Sequence, residues 1–264
     1  RAAKLLEETV KAWRTSGSFN HERLACIREL SYVHGTLGKP AAALDLLEAA
    51  AAEVGRTARG DETLRASIDN STTLALLHYA ARSAWQGRTT ELDAHCDRAW
   101  RFAKDTSDPV VAERAAKIMC IKPSGAKRQV AARELAQRAV DLGRGNRYTP
   151  YFMLTLGLAE YRGGRLREAD IAFDGALAGG AKIPEIAATS RYMKAMIRQR
   201  EGNVEAARRL ATEAAQVMTS LPEKGSDLDF SIDFNEVITW MICLEAKELV
   251  SFEMPVLAAA TKND

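Results

Sequence analysis

The sequence predicts an all-α chain of stacked helical hairpins, and three observations predict it. Ala, Leu, Arg and Glu dominate the composition, and these are strong helix formers. Aromatic residues make up only 6%, and β-branched residues never alternate in strand-like runs. The third observation is internal repetition, a signal that decides the whole fold.

The clearest unit is YFMLTLGLAEYRGGRLREADIAFDGAL, from Tyr151 to Leu177. It places a small residue at Gly157, a turn at Gly163–Gly164, then Ala169, Phe173 and Ala176. RYMKAMIRQREGNVEAARRLATEAAQV repeats the slots with Ala195, Gly202, Ala207, Ala211 and Ala214. IRELSYVHGTLGKPAAALDLLEAA does so with Ser31, Gly38, Ala43, Leu47 and Ala50. A weaker copy has Ala80, Gly87, Leu92, Cys96 and Ala99, and AARELAQRAV adds half a unit with Ala132 and Ala139.

Each slot has a physical reason. The first small residue lets two helices cross closely, and the turn glycine tolerates the positive φ that ends the first helix. Alanines in the second helix leave room for the next hairpin, which covers an apolar face that no single hairpin can bury. The final small position recurs at Ala50, Ala99, Ala139, Ala176 and Ala214, at spacings of 49, 40, 37 and 38. The pattern is of the tetratricopeptide (TPR) type, although every interval exceeds the usual period of about 34 residues. The expected architecture is a TPR-like, right-handed superhelical solenoid of about twelve helices.

In order, helices are expected near 1–14, 20–37, 40–54, 61–86, 88–104, 109–121, 127–142, 149–162, 165–178, 184–201, 204–220 and 230–251. Asp108-Pro109 and Ile183-Pro184 are helix starts, since proline suits the first turn. AAKLLEETVKAW reads as the second helix of a hairpin, so the sequence is expected to begin inside a repeat, as a fragment. FNEVITWMICLEAKELV reads as a terminal capping helix, which closes a single repeat domain over 1–252 before a polar tail at 253–264.

Charge is close to balanced overall but segregated along the chain. Residues 1–108 carry 15 basic and 15 acidic side chains, 109–222 carry 19 and 11, and 223–264 carry 3 and 9. The acidic end, 226–253, is therefore expected to lie against the basic 127–209 stretch of the same chain. Cys26, Cys96, Cys120 and Cys243 stand far apart with no CxxC pair, which suits reduced, buried thiols. The longest apolar stretches are too short to span a bilayer, so a cytoplasmic or otherwise soluble part of a larger protein is expected.

Two stretches carry a more specific likeness. TSDPVVAERAAKIMCI, followed by LAQRAVDLGRGNRYTPYFMLTLGLAEYRGGRLREADIAF, resembles the TPR-containing C-terminal regions of large bacterial serine/threonine protein kinases. The closing WMICLEAKELV resembles the helix that ends those regions, while the first 55 residues are more similar to kinesin-light-chain-type repeats. The resemblance covers most of 90–250 and departs at 51–75, where the second repeat is stretched. It implies a non-catalytic, protein-binding or regulatory region linked to a kinase domain.

The residues themselves point away from catalysis. There is no His-Arg-Asp or Asp-Phe-Gly motif, and Asp141–Asn146 (DLGRGN) lacks the third glycine of a nucleotide loop. Pro123–Arg128 (PSGAKR) is not a phosphate loop. His95-Cys96-Asp97 offers a nucleophile beside a base, but adjacent helical residues point about 100° apart and cannot work as a pair. His21, His34 and His78 have no metal-ligand spacing, so neither metal nor cofactor is expected.

The expected partner is a protein or peptide, with acidic sequences favoured by the basic stretch. That stretch contains Lys127, Arg128, Arg133, Arg138, Arg144, Arg147, Arg162, Arg165, Arg167, Arg198, Arg200, Arg208 and Arg209, which admits a nucleic-acid alternative. A one-repeat-per-base code needs regular pitch, which the uneven spacing lacks. A ligand-sensing helical domain is a further alternative, and it requires an enclosed pocket. In TPR superhelices the first helix of each pair lines the concave groove. The repeat alignment then puts Arg28, Tyr32, Trp85, Tyr151, Leu154, Leu158, Tyr161, Arg162, Tyr192, Met196, Gln199 and Arg200 in the groove. Tyrosine and arginine are frequent anchors at protein interfaces. The oligomeric state is left open by the sequence.

Overall fold

The structure is a computed structural model that describes residues 19–253 apart from Arg59, plus positions 4, 7–9 and 11. Most of the helix expected near 1–14, and the tail after Glu253, lie outside the described residues. The described positions 4, 7–9 and 11 are helical, no described residue is in a strand, and eleven α-helices have described bounds. They are α1 (His21–Thr36), α2 (Pro40–Thr57), α3 (Glu62–Trp85), α4 (Thr89–Ala103), α5 (Pro109–Cys120), α6 (Ala126–Leu142), α7 (Thr149–Arg162), α8 (Leu166–Gly180), α9 (Pro184–Arg200), α10 (Val204–Val217) and α11 (Phe234–Leu249).

The turns explain why the helices stop where they do. Gly38, Gly87, Gly164 and Gly202 have φ of 69°, 72°, 76° and 80°. At each one the glycine N–H reaches the carbonyl three residues back, and the next N–H reaches the carbonyl five back. This is the Schellman geometry, which satisfies carbonyls that a helix end leaves open. The same turn closes α1, α3, α7 and α9, and the following helix begins two residues after each glycine. Helix starts are equally local. Asp108 caps α5 through its carboxylate, 2.7 Å from the N–H of Val110, with Pro109 in the first turn.

The hairpins α5–α6, α7–α8 and α9–α10 pack most extensively, α1 packs on α2, and α4 on α5, α6 on α7 and α8 on α9 join successive pairs. The slots identified by repetition are the buried ones. Ala43, Ala80, Ala99, Ala139, Ala169, Phe173, Ala176, Ala195, Ala207, Ala211 and Ala214 are all fully buried. At Gly157 the reason for a small residue is explicit, because a Cβ there would sit 2.5 Å from the Phe173 ring.

The chain divides into two compact units, 1–79 and 80–264. The division falls inside α3, whose 24 residues exceed every other helix, in the region where the second repeat is stretched. Leu64 and Ile68, in the first half of α3, join Phe19, Leu24, Ile27, Leu30, Leu47 and Val54 in the core of the first unit. Arg23 is buried there, pairs with Glu53 through two bonds of 2.6 Å, and lies over the Phe19 ring. The second unit holds the rest of α3 and the helices that follow it.

Within the second unit, α10 ends at Val217 and the chain runs without helix to Asp233, whose side chain caps α11. The expectation of one final helix holds, but it starts at Phe234 and not near 230. Val237, Ile238, Thr239, Trp240, Met241, Ile242, Cys243 and Ala246 are buried, so α11 is enclosed well beyond a single stripe. It packs against α9.

Candidate functional site

The first helices of the second unit supply side chains that converge on one segment, residues 226–252. Arg82, near the end of α3, donates to the carbonyls of Asp229, Phe230 and Ile232 at 3.0, 3.0 and 2.9 Å, and its guanidinium lies over the Phe230 ring. One turn on, the Trp85 indole N–H donates to the carbonyl of Ser226 at 3.1 Å, and Gln86 donates to Asp227 at 2.8 Å. The Trp85 ring meets Trp240 at 5.7 Å between centroids.

From α5, Lys117 donates to Asn235 at 3.1 Å and sits over the rings of Tyr151 and Phe234. Lys117 is only 2% exposed; it survives burial because Glu113, one turn earlier, pairs with it at 2.6 Å, and Thr155 donates to the same carboxylate oxygen. From α7, Arg162 grips Glu245 through two bonds of 2.5 and 2.7 Å and also donates to the carbonyl of Cys120. From α9, the Thr189 and Thr239 hydroxyls are 2.9 Å apart, and Tyr192 meets Phe252. Burial pushes the Tyr192 phenol well above its ordinary pKa.

The twelve residues expected in the groove thus divide. Trp85, Arg162 and Tyr192 touch the 226–252 segment, and Tyr151 shares Lys117 with it. Tyr161 donates to the Met196 sulfur at 3.7 Å, with Arg200 over its ring. Trp85, Leu154, Leu158, Tyr161, Tyr192 and Met196 are buried, so no external ligand reaches them in this conformation. Tyr151 and Gln199 are half-buried, and Arg200 is exposed. Arg28 and Tyr32, both exposed, belong to the first unit.

The acidic end does pack onto the unit, but not as one charged face on another. Among the described residues Arg162–Glu245 is the ion pair between the basic stretch and that end; the other contacts are aromatic, to main-chain carbonyls, or side-chain hydrogen bonds such as Gln86–Asp227, Lys117–Asn235 and Thr189–Thr239. Most of the basic stretch is occupied locally. Glu160 takes Arg133 and Arg165, Asp170 takes Lys194 and Arg198, Asp93 takes Arg128, and Arg138 caps the carbonyl of Lys104. Its formal surplus is therefore spread among pairs and helix ends, which weakens the case for a phosphate-tracking face.

Sequence reasoning missed Arg82, Gln86, Lys117 and Thr189. Arg82 had a signal, since it stands three residues before Trp85 and shares its helical face. Lys117 had none, because α5 carries no turn glycine to set its alignment. A cavity of about 600 Å³ remains beside α11, lined among others by Trp85, Leu92, Lys122, Lys224, Met241 and Glu248.

Cys96 is buried and its thiol lies 3.8 Å from the carbonyl of Ile118; burial raises its pKa to about 11. Cys26 is half-buried and Cys120 and Cys243 are buried, all as free thiols. Among the described residues no group of three or more His, Cys, Asp and Glu is placed to hold a metal, and no helix is long and apolar enough to cross a membrane. No family model matches the sequence, and no curated protein matches it significantly.

Proposed function

We propose that this chain is a TPR-like helical-repeat module that binds other proteins, and that it serves as a regulatory or partner-recruiting region of a kinase-linked bacterial signalling protein. One observation carries the binding half of the reading. Side chains from four first helices, α3, α5, α7 and α9, hold a polypeptide segment, partly through its main-chain carbonyls. Such a surface has the chemistry of peptide recognition, with aromatic slots, one buried arginine fork and amide-directed donors. The recurrent Schellman turns and buried small slots support the repeat reading. The kinase link rests on the sequence resemblance alone.

The test is site-specific photo-crosslinking in cells that make the full-length protein. A photoreactive amino acid replacing exposed Arg200, beside the site, is expected to trap discrete protein partners. The same group replacing Ile171, 61% exposed on second helix α8, is expected to trap none of them. Identical products from both positions, or none from position 200, would sink the reading.

A further inference from the structure

The segment already seated in the second unit shows what else the site accepts, given the reading above, on which this inference rests. We propose that the site binds, in trans, an amphipathic helix of another protein, preceded by an acidic extended stretch. That helix carries an aromatic residue and, five positions later, a carboxylate. Residues 226–252 are the internal occupant that this ligand displaces.

Four features lead there. Arg82 and Trp85 bind carbonyls of residues 226–232, and a carbonyl is present in any polypeptide, so this half of the site reads shape and not sequence. Arg162 supplies the selective half. Its side chain is only 4% exposed, and a buried guanidinium fork demands a carboxylate in register. Charge agrees, because residues 223–253 carry eight acidic side chains and two basic ones. The fit is also imperfect, since the indole N–H of Trp240 is buried without a hydrogen-bond partner. An unpaired buried donor weakens an occupant by roughly tenfold, so a better-matched helix can win.

The tether decides between candidate ligands. Residues 218–233 join α10 to α11 without helix, so α11 is presented to its site at an effective concentration on the order of 1 mM. The same segment of a second copy, at ~10 μM, has equal intrinsic affinity and loses by about 100-fold. The successful ligand is therefore a different protein whose helix fits better.

The experiment uses the full chain and, as probe, a fluorescein-labelled synthetic peptide of residues 222–253. In the Glu245→Arg chain the internal occupant presents a like charge to Arg162. The native probe is expected to bind that chain about 100-fold more tightly than wild type, by removal of the tethered competitor. A probe carrying Glu245→Arg is expected not to bind it. With Arg162→Glu in the chain the preference reverses, and the altered probe binds better than the native one. Circular dichroism checks that the helices persist; where Glu245→Arg unfolds the chain, Glu245→Gln replaces it with a smaller expected gain. Equal binding to wild-type and variant chains, or no reversal, overturns the proposal. Because crosslinking from position 200 does not depend on the probe, its persistence alongside a failed reversal would separate a wrong ligand from a wrong function.

Discussion

Removing the Glu245 carboxylate is expected to cost more than removing its partner, and the reason is where each charge is left. The Arg162 side chain is 4% exposed and that of Glu245 is 25% exposed. Glu245→Leu leaves a buried guanidinium with only the carbonyls of Cys120 and Ile121, at 3.2 and 3.5 Å. Breaking a buried pair this way costs about 3–5 kcal/mol, and water entering beside a partly exposed carboxylate sets the lower end, about 3 kcal/mol. Arg162→Met leaves a carboxylate that water reaches, at a cost of about 2 kcal/mol. The double variant replaces both charges with apolar groups of similar size and is expected to cost about 2 kcal/mol in total, so the pair is coupled by about 3 kcal/mol. The assay is urea unfolding of the four chains followed by helical circular dichroism and by tryptophan fluorescence, to which Trp85 and Trp240 contribute together with Trp13 and Trp100. Additive single effects, with coupling below about 0.5 kcal/mol, would show that Arg162 does not hold α11 by charge.

Other perturbations follow from the same structure. Gly157→Ala drives a methyl to 2.5 Å from the Phe173 ring and is expected to destabilise by about 1–3 kcal/mol, with partial rescue by Phe173→Leu in a thermal melt. Gly164→Ala meets open space but forces alanine to φ of 76°, which should cost about 1–2 kcal/mol in urea titration. Acid should weaken the protein through His95, whose pKa burial lowers from 6.5 to about 4, helped by Arg98 and opposed by Glu91. Below pH 6.5 the unfolded chain takes up a proton that the folded chain refuses until about pH 4, so the unfolded state binds more protons and stability is lost as the pH is lowered through that window. The loss is at most about 3 kcal/mol, and His95→Gln should flatten the profile of urea midpoints between pH 7.5 and 4.5. Truncation after Leu221 should uncover Trp85 and Tyr192, raising the binding of a hydrophobic dye and of acidic peptides; unchanged dye binding would contradict the packing of α11.

Much of the local structure was legible in the residues. Helix ends at Gly38, Gly87, Gly164 and Gly202 followed from a conformation that glycine alone adopts cheaply, and the buried slots followed from spacing along a helix. The site was legible only in part. Trp85, Arg162 and Tyr192 stood in the predicted row, but their burial under residues 226–252 depends on a segment distant in sequence, as Trp240 is from Trp85. The division of the chain inside α3 was foreshadowed only as a stretched repeat.

The sequence by itself thus determined the helices, their turns and the small residues that let hairpins approach, because these depend on backbone conformation and on neighbours within a few turns. It also marked the acidic end as a candidate to fold back on the basic middle. Only the tertiary structure decided how that end is seated. Arg82 captures main-chain carbonyls and Arg162 a single carboxylate, and α11 lies buried among first helices. That choice rests on shape and donor geometry between distant segments, which net charge and periodicity do not encode.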